Sequence, residues 1–236
     1  MKILVLAIVF TFPLYSAFSQ APTCPPLATL TVGTELAYQT YDGKNRLVQT
    51  TRHSVVSNRI ESGYQTLYMD EEVLDARGRL LIKGEHVIRC QNNILFYDMT
   101  KMVPAEALVG AETSEVRTDR NLLRIPIEVE IDQALPEATV SLEVGPEASG
   151  DLKTIDFTIK DRKVVAMDSL RTATGTYYTT RIDQKTITRT KVLFVRKTLE
   201  LDEKVWFDMS RGILIRKEEY DKKGKMTSFT VLTQLR

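Results

Sequence analysis

The sequence contains few of the residues from which enzyme and metal sites are usually built. Of 236 residues only two are histidine, two are cysteine and one is tryptophan. Structural zinc sites need about four ligands and catalytic ones about three, and His53 and His86 are not clustered with the cysteines, so we predict neither a metal nor a cofactor. A Ser–His–acid triad could be assembled from distant residues, but the chain has no Gly-x-Ser-x-Gly elbow and no glycine-rich phosphate loop. These shortages favour a protein that is not an enzyme.

The chain also lacks a surplus of charge of one sign. It has 32 basic and 31 acidic residues, which does not favour nucleic acid or anionic lipid as a partner. Apart from the N-terminal segment, no apolar run approaches the roughly 20 residues of a membrane-spanning helix. We therefore expect a globular protein that does not span a membrane and has no nucleic-acid partner. Its oligomeric state is left open by the sequence.

The N-terminal segment has the pattern of a targeting signal. Lys2 is followed by the apolar run Ile3–Tyr15 and by Ala17-Phe18-Ser19, a small-x-small cleavage site. Residues 1–19 are therefore predicted to be a cleavable signal peptide, which places the protein in the periplasm or outside the cell. An uncleaved anchor is the alternative, but the run is short and contains Pro13. Lipid attachment at Cys24 is disfavoured because the residues before it are not small.

The two cysteines, Cys24 and Cys90, both follow the predicted cleavage site. In an oxidising compartment an isolated pair usually forms a disulfide, whereas a redox-active pair usually has Cys-x-x-Cys spacing. The bond would tie an extended, proline-containing lead over residues 20–34 to the end of a strand. Closing a loop of about 65 residues would stabilise the fold by roughly 4 kcal/mol in the chain-entropy model.

One turn pattern occurs three times, in Tyr41–Leu47, Leu74–Leu80 and Tyr220–Met226. Each copy has an aromatic or apolar residue, an Asp, a Gly among polar residues, a basic residue and another apolar residue. The Asp side chain can bond to its own backbone and the Gly can adopt a positive φ, and alternating apolar and polar residues flank each copy. The pattern predicts hairpins, and hence an antiparallel β meander.

About a dozen such alternating segments follow one another from residue 35 to residue 236. We predict a single all-β domain over 35–236, with residues 132–151 as the place for an internal boundary because they contain Pro136, Gly145, Pro146 and Gly150. Asp161-Arg162 is predicted to be a turn. The only helix expected is a short one starting near Pro104, within a covering segment.

Several segments resemble the TapB-like family of exported bacterial proteins of unknown function. Arg171–Tyr177 is similar to its T-P-A-G-T-F hairpin, although Ala173-Thr174 replaces the usual Pro-Ala. Val205–Ile215 and Glu219–Leu232 are similar to its strand pair and its terminal hairpin. The resemblance implies a half-barrel or partly open barrel, a curved sheet like that of periplasmic lipoprotein carriers. It implies no activity and no catalytic residues.

The irregular segment after the fifth predicted strand is the best candidate for a binding site. It is apolar and contains flexible methionines, which adapt to the shape of a ligand. A curved sheet with such a lid could hold an acyl chain or a hydrophobic peptide, although the same residues could simply fill one end of the core. The candidate groove and lid residues are Phe96, Tyr97, Met99, Met102, Leu108 and Val109.

The sequence thus supports three functional hypotheses. The first is a non-enzymatic exported protein that binds a hydrophobic ligand or assists envelope assembly. The second is a module that pairs with an envelope protein through a strand edge, with Met226–Leu235 as the candidate edge. The third is a polysaccharide hydrolase, for which the candidate carboxylates are Asp70-Glu71-Glu72, Glu128 with Glu130, and Glu218-Glu219.

Overall fold

A computed structural model of the chain describes residues 24–103, 122–144, 153–192 and 195–236. Among these residues, one helical turn, α1 (Pro25–Ala28), and one 3-10 helix (Met99–Met102) accompany twelve strands. The strands are β1 Glu35–Asp42, β2 Leu47–Glu61, β3 Tyr64–Asp75, β4 Leu80–Gln91, β5 Ile94–Asp98, β6 Leu122–Pro126, β7 Ala138–Val144, β8 Lys153–Thr172, β9 Gly175–Val192, β10 Val195–Asp208, β11 Ile213–Tyr220 and β12 Met226–Leu235.

These strands form one antiparallel sheet in the order β6-β5-β4-β3-β2-β1-β12-β11-β10-β9-β8-β7. Strands that are consecutive in the chain are neighbours in the sheet, except β6 and β7, which lie at its two edges. The sheet curls until these edges come into contact, so the structure is a nearly closed barrel. The predicted all-β fold with a curved meander is confirmed. Strands from both sides of residues 132–151 belong to this one sheet.

The three predicted turns share one geometry. In each, the Asp carboxylate accepts bonds from the backbone N–H groups two and four residues later, as Asp75 does from Arg77 at 2.8 Å and Arg79 at 2.9 Å. The residue three positions after the Asp has a positive φ, 77° at Gly78 but 61° at Asn45 in the first copy. Asn tolerates this left-handed conformation, so Gly43 is not the residue that provides it.

All three turns lie at the same end of the barrel, because the strands that lead into them, β1, β3 and β11, run in the same direction. Asp42 is opposite Ser228 in the pairing of β1 with β12, and Gln49 is opposite Asp75 in the pairing of β2 with β3. We call this end of the barrel the Asp-turn end. The opposite end is covered by α1, whose Leu27 is buried.

The lead before β1 is fixed to the barrel by the predicted disulfide. Cys24 is bonded to Cys90 at the end of β4, which confirms the pairing. The Asn58 side chain also donates to the carbonyl oxygens of Leu27 at 2.7 Å and Leu30 at 3.0 Å. The sequence predicts an extended lead, whereas Pro25–Ala28 form a helical turn, because proline is favoured at the first position of a helix.

Two further predictions from the sequence are wrong. Met226–Leu235 is not a sheet edge, since β12 lies between β1 and β11. Asp161-Arg162 does not end a strand, since β8 continues through it with an irregularity between Lys160 and Lys163. None of the helices in the described parts of the chain is long and apolar enough to cross a membrane.

The Arg162 side chain helps to close the barrel. It is buried, and its Nη1 donates to the carbonyl oxygens of Arg124 in β6 at 2.9 Å and of Pro136 before β7 at 2.7 Å. Burial lowers the pKa of Arg162 to about 10, so the guanidinium is still charged at neutral pH. One side chain therefore bonds the edge strand β6 to the segment that leads into β7.

Candidate functional site

The interior of the barrel changes from apolar to polar towards the Asp-turn end. Side chains two apart on a strand share a face, so each inward-facing row can be followed along its strand. On seven strands the row passes from a buried apolar residue to a polar one. The steps are Tyr38 to Thr40, Val55 to His53, Met69 to Glu71, Ile88 to His86, Val205 to Glu203, Ile215 to Lys217 and Leu232 to Thr230. We call these seven polar residues the polar section.

The densest part of the polar section is formed by His53, Glu71 and His86, on the adjacent strands β2, β3 and β4. His53 is directly opposite Glu71 in the strand pairing, and its Nε2 lies 3.0 Å from Glu71 Oε2. His86 Nδ1 lies 3.7 Å from the same oxygen. One nitrogen or oxygen atom from each of the three side chains lies within 4.8 Å of the others. We call this group the His–Glu–His cluster.

The cluster contains both histidines of the chain. Their rings are stacked, with centroids 4.9 Å apart and planes 15° from parallel. The side chains of His53, Glu71 and His86 are 13%, 12% and 12% exposed, so each keeps a small contact with solvent. The cluster is therefore largely buried in the barrel but still reaches solvent.

Electrostatics favour a neutral imidazole beside a charged carboxylate. Burial lowers the pKa of His86 to about 3, and nearby His53 and Lys101 act in the same direction against Glu71. At neutral pH His86 is therefore uncharged and keeps a lone pair. Burial alone would raise the pKa of Glu71, but the hydrogen bond with His53 and the electrostatic effects of the imidazoles and Lys101 lower it below its usual range.

His86 Nδ1 is buried and has no hydrogen-bond partner among the described residues. Buried polar atoms are nearly always paired, because leaving one unpaired costs about 1–3 kcal/mol. The side chain of Lys101 ends close by, since its Nζ lies 3.3 Å from the position that a Cβ on Gly84 would take. The absence of a side chain at Gly84 leaves room for this ammonium group beside the cluster.

A second polar group lies on strands β9 to β11. The Glu203 carboxylate accepts bonds from Gln184 Nε2 at 2.7 Å and Thr186 Oγ1 at 3.2 Å. Lys217 Nζ is 3.9 Å from Glu203 and 2.5 Å from Glu219. Burial raises the pKa of Glu203 despite these partners. Its side chain oxygens are thus satisfied, in contrast to His86 Nδ1.

The described part of the chain places four of the six predicted groove and lid residues, in different environments. Tyr97 and Met99 are buried in the core, and the Tyr97 hydroxyl donates to the carbonyl oxygen of Gly212 at 2.8 Å. Phe96 alternates with Tyr97 and lies on the outer face, where its ring meets that of Tyr64 edge-on. Met102 packs against the core and is partly exposed. Leu108 and Val109 lie outside the described residues.

The predicted carboxylate groups lie on different parts of the fold, namely β3, the segment after β6 and β11. Glu128 and Glu130 are exposed and follow the end of β6. Glu218 and Glu219 are adjacent residues of β11 and therefore point to opposite faces of the sheet. Of the candidate acids, Glu71 is the one that joins the His–Glu–His cluster.

A family model described as DUF3108-like matches residues 31–232. The chain belongs to the DUF3108-like family. The search of curated proteins yields no match. The matched residues include strands β1 to β11, β12 as far as Leu232, and both histidines of the cluster.

Two bacterial crystal structures share the fold of this DUF3108-like protein. A protein classed as a lipoprotein from Parabacteroides distasonis is 24% identical, has a TM-score of 0.71, and matches 88% of this chain and 96% of its own. A protein classed as exported, with a YmcC-like fold, from Bacteroides fragilis is 17% identical, has a TM-score of 0.70, and matches 87% of this chain and 96% of its own. At these identities the likeness shows the fold alone.

The comparisons support the family resemblance at its coarser level. The DUF3108-like protein belongs to a family without an assigned function, and its structural neighbours are classed as exported or as lipoproteins. No enzyme family is indicated. The TapB-like name is not confirmed by the family match.

Proposed function

We propose that this chain is a non-enzymatic exported protein of the cell envelope that binds a ligand through the polar section of its barrel. The observation that carries the proposal is the unpartnered, buried His86 Nδ1 beside the Glu71 carboxylate. Export is supported by the signal-like residues 1–19 and by structural neighbours classed as exported or as lipoproteins.

The polar section is expected to destabilise the folded protein when no ligand is bound. Moving polar or charged groups away from water is unfavourable unless they are fully bonded. The pKa of His86 is depressed and that of Glu203 is raised, both mainly by burial, so these groups are poorly solvated. Apolar side chains at the same positions would extend the core. Ionisable groups with such perturbed pKa values often mark functional sites.

Native mass spectrometry tests this proposal. The protein is purified without a tag and under mild conditions from the cells that normally make it, and is compared with a His86→Asn variant. We expect a bound species on the wild-type protein that the variant loses. Glu72→Gln is the matched control, because Glu72 is next to Glu71 but lies on the other face of β3. A bare wild-type mass, or a species that persists in His86→Asn, would contradict the proposal.

Binding of an apolar ligand by the covering segment is a second proposal. It is supported by Met102, which packs on the core while part of its side chain faces solvent. Mass spectrometry after lipid extraction tests it, with Met102→Ser as the variant. Recovery of an acyl-chain compound from the wild-type protein and not from the variant is expected. Extracts without such a compound would count against the proposal.

Pairing with an envelope protein is a further proposal, now through β6 or β7 in place of β12. These two strands are the edges of the sheet; they contact each other but are not paired, so an added strand would open the barrel at this seam. Cross-linking in cells through a photoreactive residue at the exposed Arg124 of β6 would capture such a partner. The same probe at the exposed Thr227, in the central strand β12, is the control.

A further inference from the structure

The geometry points to a divalent transition-metal ion as the ligand of the His–Glu–His cluster, held by His53 Nε2, the Glu71 carboxylate and His86 Nδ1. This inference rests on the proposed function and names the ligand class. Three donor atoms within 4.8 Å of one another enclose space for a single ion. Two clefts on the described surface, beside α1 and between two Asp turns, are lined by other residues.

The donor spacing is close to that of a bound metal. Metal–nitrogen and metal–oxygen distances of about 2.0–2.2 Å place neighbouring donors roughly 3–3.5 Å apart. Glu71 Oε2 is already 3.0 Å from His53 Nε2 and 3.7 Å from His86 Nδ1. The donors are as much as 4.8 Å apart, so the side chains must rotate to bring all three to a common centre.

The donor set selects the type of metal. Imidazole nitrogen suits zinc, copper, iron and nickel, whereas magnesium and calcium prefer ligands that are all oxygen. His86 Nδ1 is buried and has no hydrogen-bond partner among the described residues, so it is open to a metal ion. Three protein ligands leave at least one coordination position for water or another small ligand.

Metal binding has two structural consequences. The hydrogen bond between His53 Nε2 and Glu71 Oε2 is replaced by a bond from each atom to the metal, and any proton on His53 Nε2 moves to Nδ1 or to water. Each imidazole lone pair lies in the plane of its ring, so the two rings must also turn out of their nearly parallel stack. The Lys101 ammonium group beside Gly84 repels the ion, but its residue is exposed and its side chain can swing into solvent.

Isothermal titration with Zn2+ tests the inference directly. The chain is purified without a polyhistidine tag, so that its two own imidazoles are the only ones present. We expect one Zn2+ per chain and no binding of Mg2+ at the same concentrations. Loss of a direct ligand in Glu71→Gln or His86→Asn should weaken binding by more than the roughly 10–100-fold that loss of a supporting hydrogen bond causes.

Two further variants sharpen the test. Glu72→Gln removes an exposed carboxylate that pairs with Lys83 at 3.6 Å, and it should leave Zn2+ affinity unchanged. Lys101→Gln removes the repelling charge and should strengthen binding. Circular dichroism of each variant checks folding, and Glu71→Gln keeps the size of the side chain, so lost binding cannot be attributed to an altered volume.

Nuclear magnetic resonance gives an independent readout, because the imidazole spectrum contains signals from His53 and His86 only. Zn2+ should shift the nitrogen signals of both rings together at one equivalent. Unshifted imidazoles, or wild-type affinity in Glu71→Gln, would overturn the inference and leave the cluster as a hydrogen-bonded network of the core.

The two experiments can fail separately, because native mass spectrometry tests for any ligand and the titration tests for a metal ion. If native mass spectrometry finds an organic molecule that His86→Asn loses, while Zn2+, Ni2+ and Co2+ all fail to bind, the function stands and the metal inference fails. If neither an organic molecule nor a metal binds, both fail.

Discussion

Removing the Cys24–Cys90 disulfide should lower the free energy of unfolding by about 4 kcal/mol. The two cysteines are 66 residues apart, and for a loop of that length the chain-entropy model gives about 14–15 cal/mol/K, or roughly 4 kcal/mol at 25 °C. The loop encloses β1, β2, β3 and most of β4. In the unfolded chain the bond therefore restricts the freedom of about a quarter of the protein.

The folded state should survive without the bond. Leu27 is fully buried and Leu30 is 2% exposed, and the Asn58 side chain still bonds to the carbonyl oxygens of both. The Cys24 N–H also donates to Gln65 Oε1 at 2.7 Å through the backbone, which an alanine at position 24 retains. The loss of stability therefore comes mainly from the unfolded state.

Urea denaturation followed by circular dichroism measures the effect. A Cys24→Ala/Cys90→Ala variant and the reduced wild-type protein should both unfold at roughly 1.5–2 M less urea than the oxidised wild type, for a slope of about 2–3 kcal/mol/M. Agreement between the two routes separates the loss of the cross-link from the loss of buried sulfur. If the reduced protein unfolds at the same urea concentration as the oxidised one, the entropic reasoning is wrong.

Three other changes probe the core, one turn and one buried acid. Met99→Ala should lower the free energy of unfolding in urea by about 2–5 kcal/mol, because the Met99 side chain is fully buried. A change near zero would show that Met99 is not a core residue. Gly43→Ala should cost about 1–3 kcal/mol, because its Cβ would lie 2.5 Å from the Met226 carbonyl oxygen. Gly84→Ala is the matched control, since its Cβ meets only the end of a flexible side chain. Because burial raises the pKa of Glu203, stability is lost as pH rises through that pKa, so Glu203→Gln should raise the melting temperature at pH 7 and not at pH 4; equal shifts at both would contradict this.

The hairpin ends could be predicted from the sequence because their cause is local. Asp42, Asp75 and Asp221 each bond to backbone groups within four residues, so no distant contact is needed. Asn45 shows the limit of that argument. The first turn places its positive φ at Asn45, while Gly43 is required by the approach of a strand from the other end of the chain.

The groove and lid prediction treats Phe96 and Tyr97 as parts of one apolar surface. Phe96 and Tyr97 are adjacent in a strand, so the pleat sends one ring outward and the other into the core. Composition alone cannot distinguish these two positions. A period-2 reading extended through Met99 would have placed both Tyr97 and Met99 inside, and this is the signal that was available in the sequence.

The meeting of His53 and His86 could not be predicted, because it depends on the pairing of three strands. The register of β2 against β3 shifts between Val55 and Ser57. His53 is opposite Glu71 because it lies before this shift in the chain. His86 of β4 is opposite Met69, which is two residues before Glu71 on the same face of β3, so the His86 side chain can reach Glu71 diagonally. A slip of one residue in either pairing would send one imidazole to the outer face. The cluster is therefore encoded by long-range register, and counting histidines in the sequence underestimates what the folded barrel brings together.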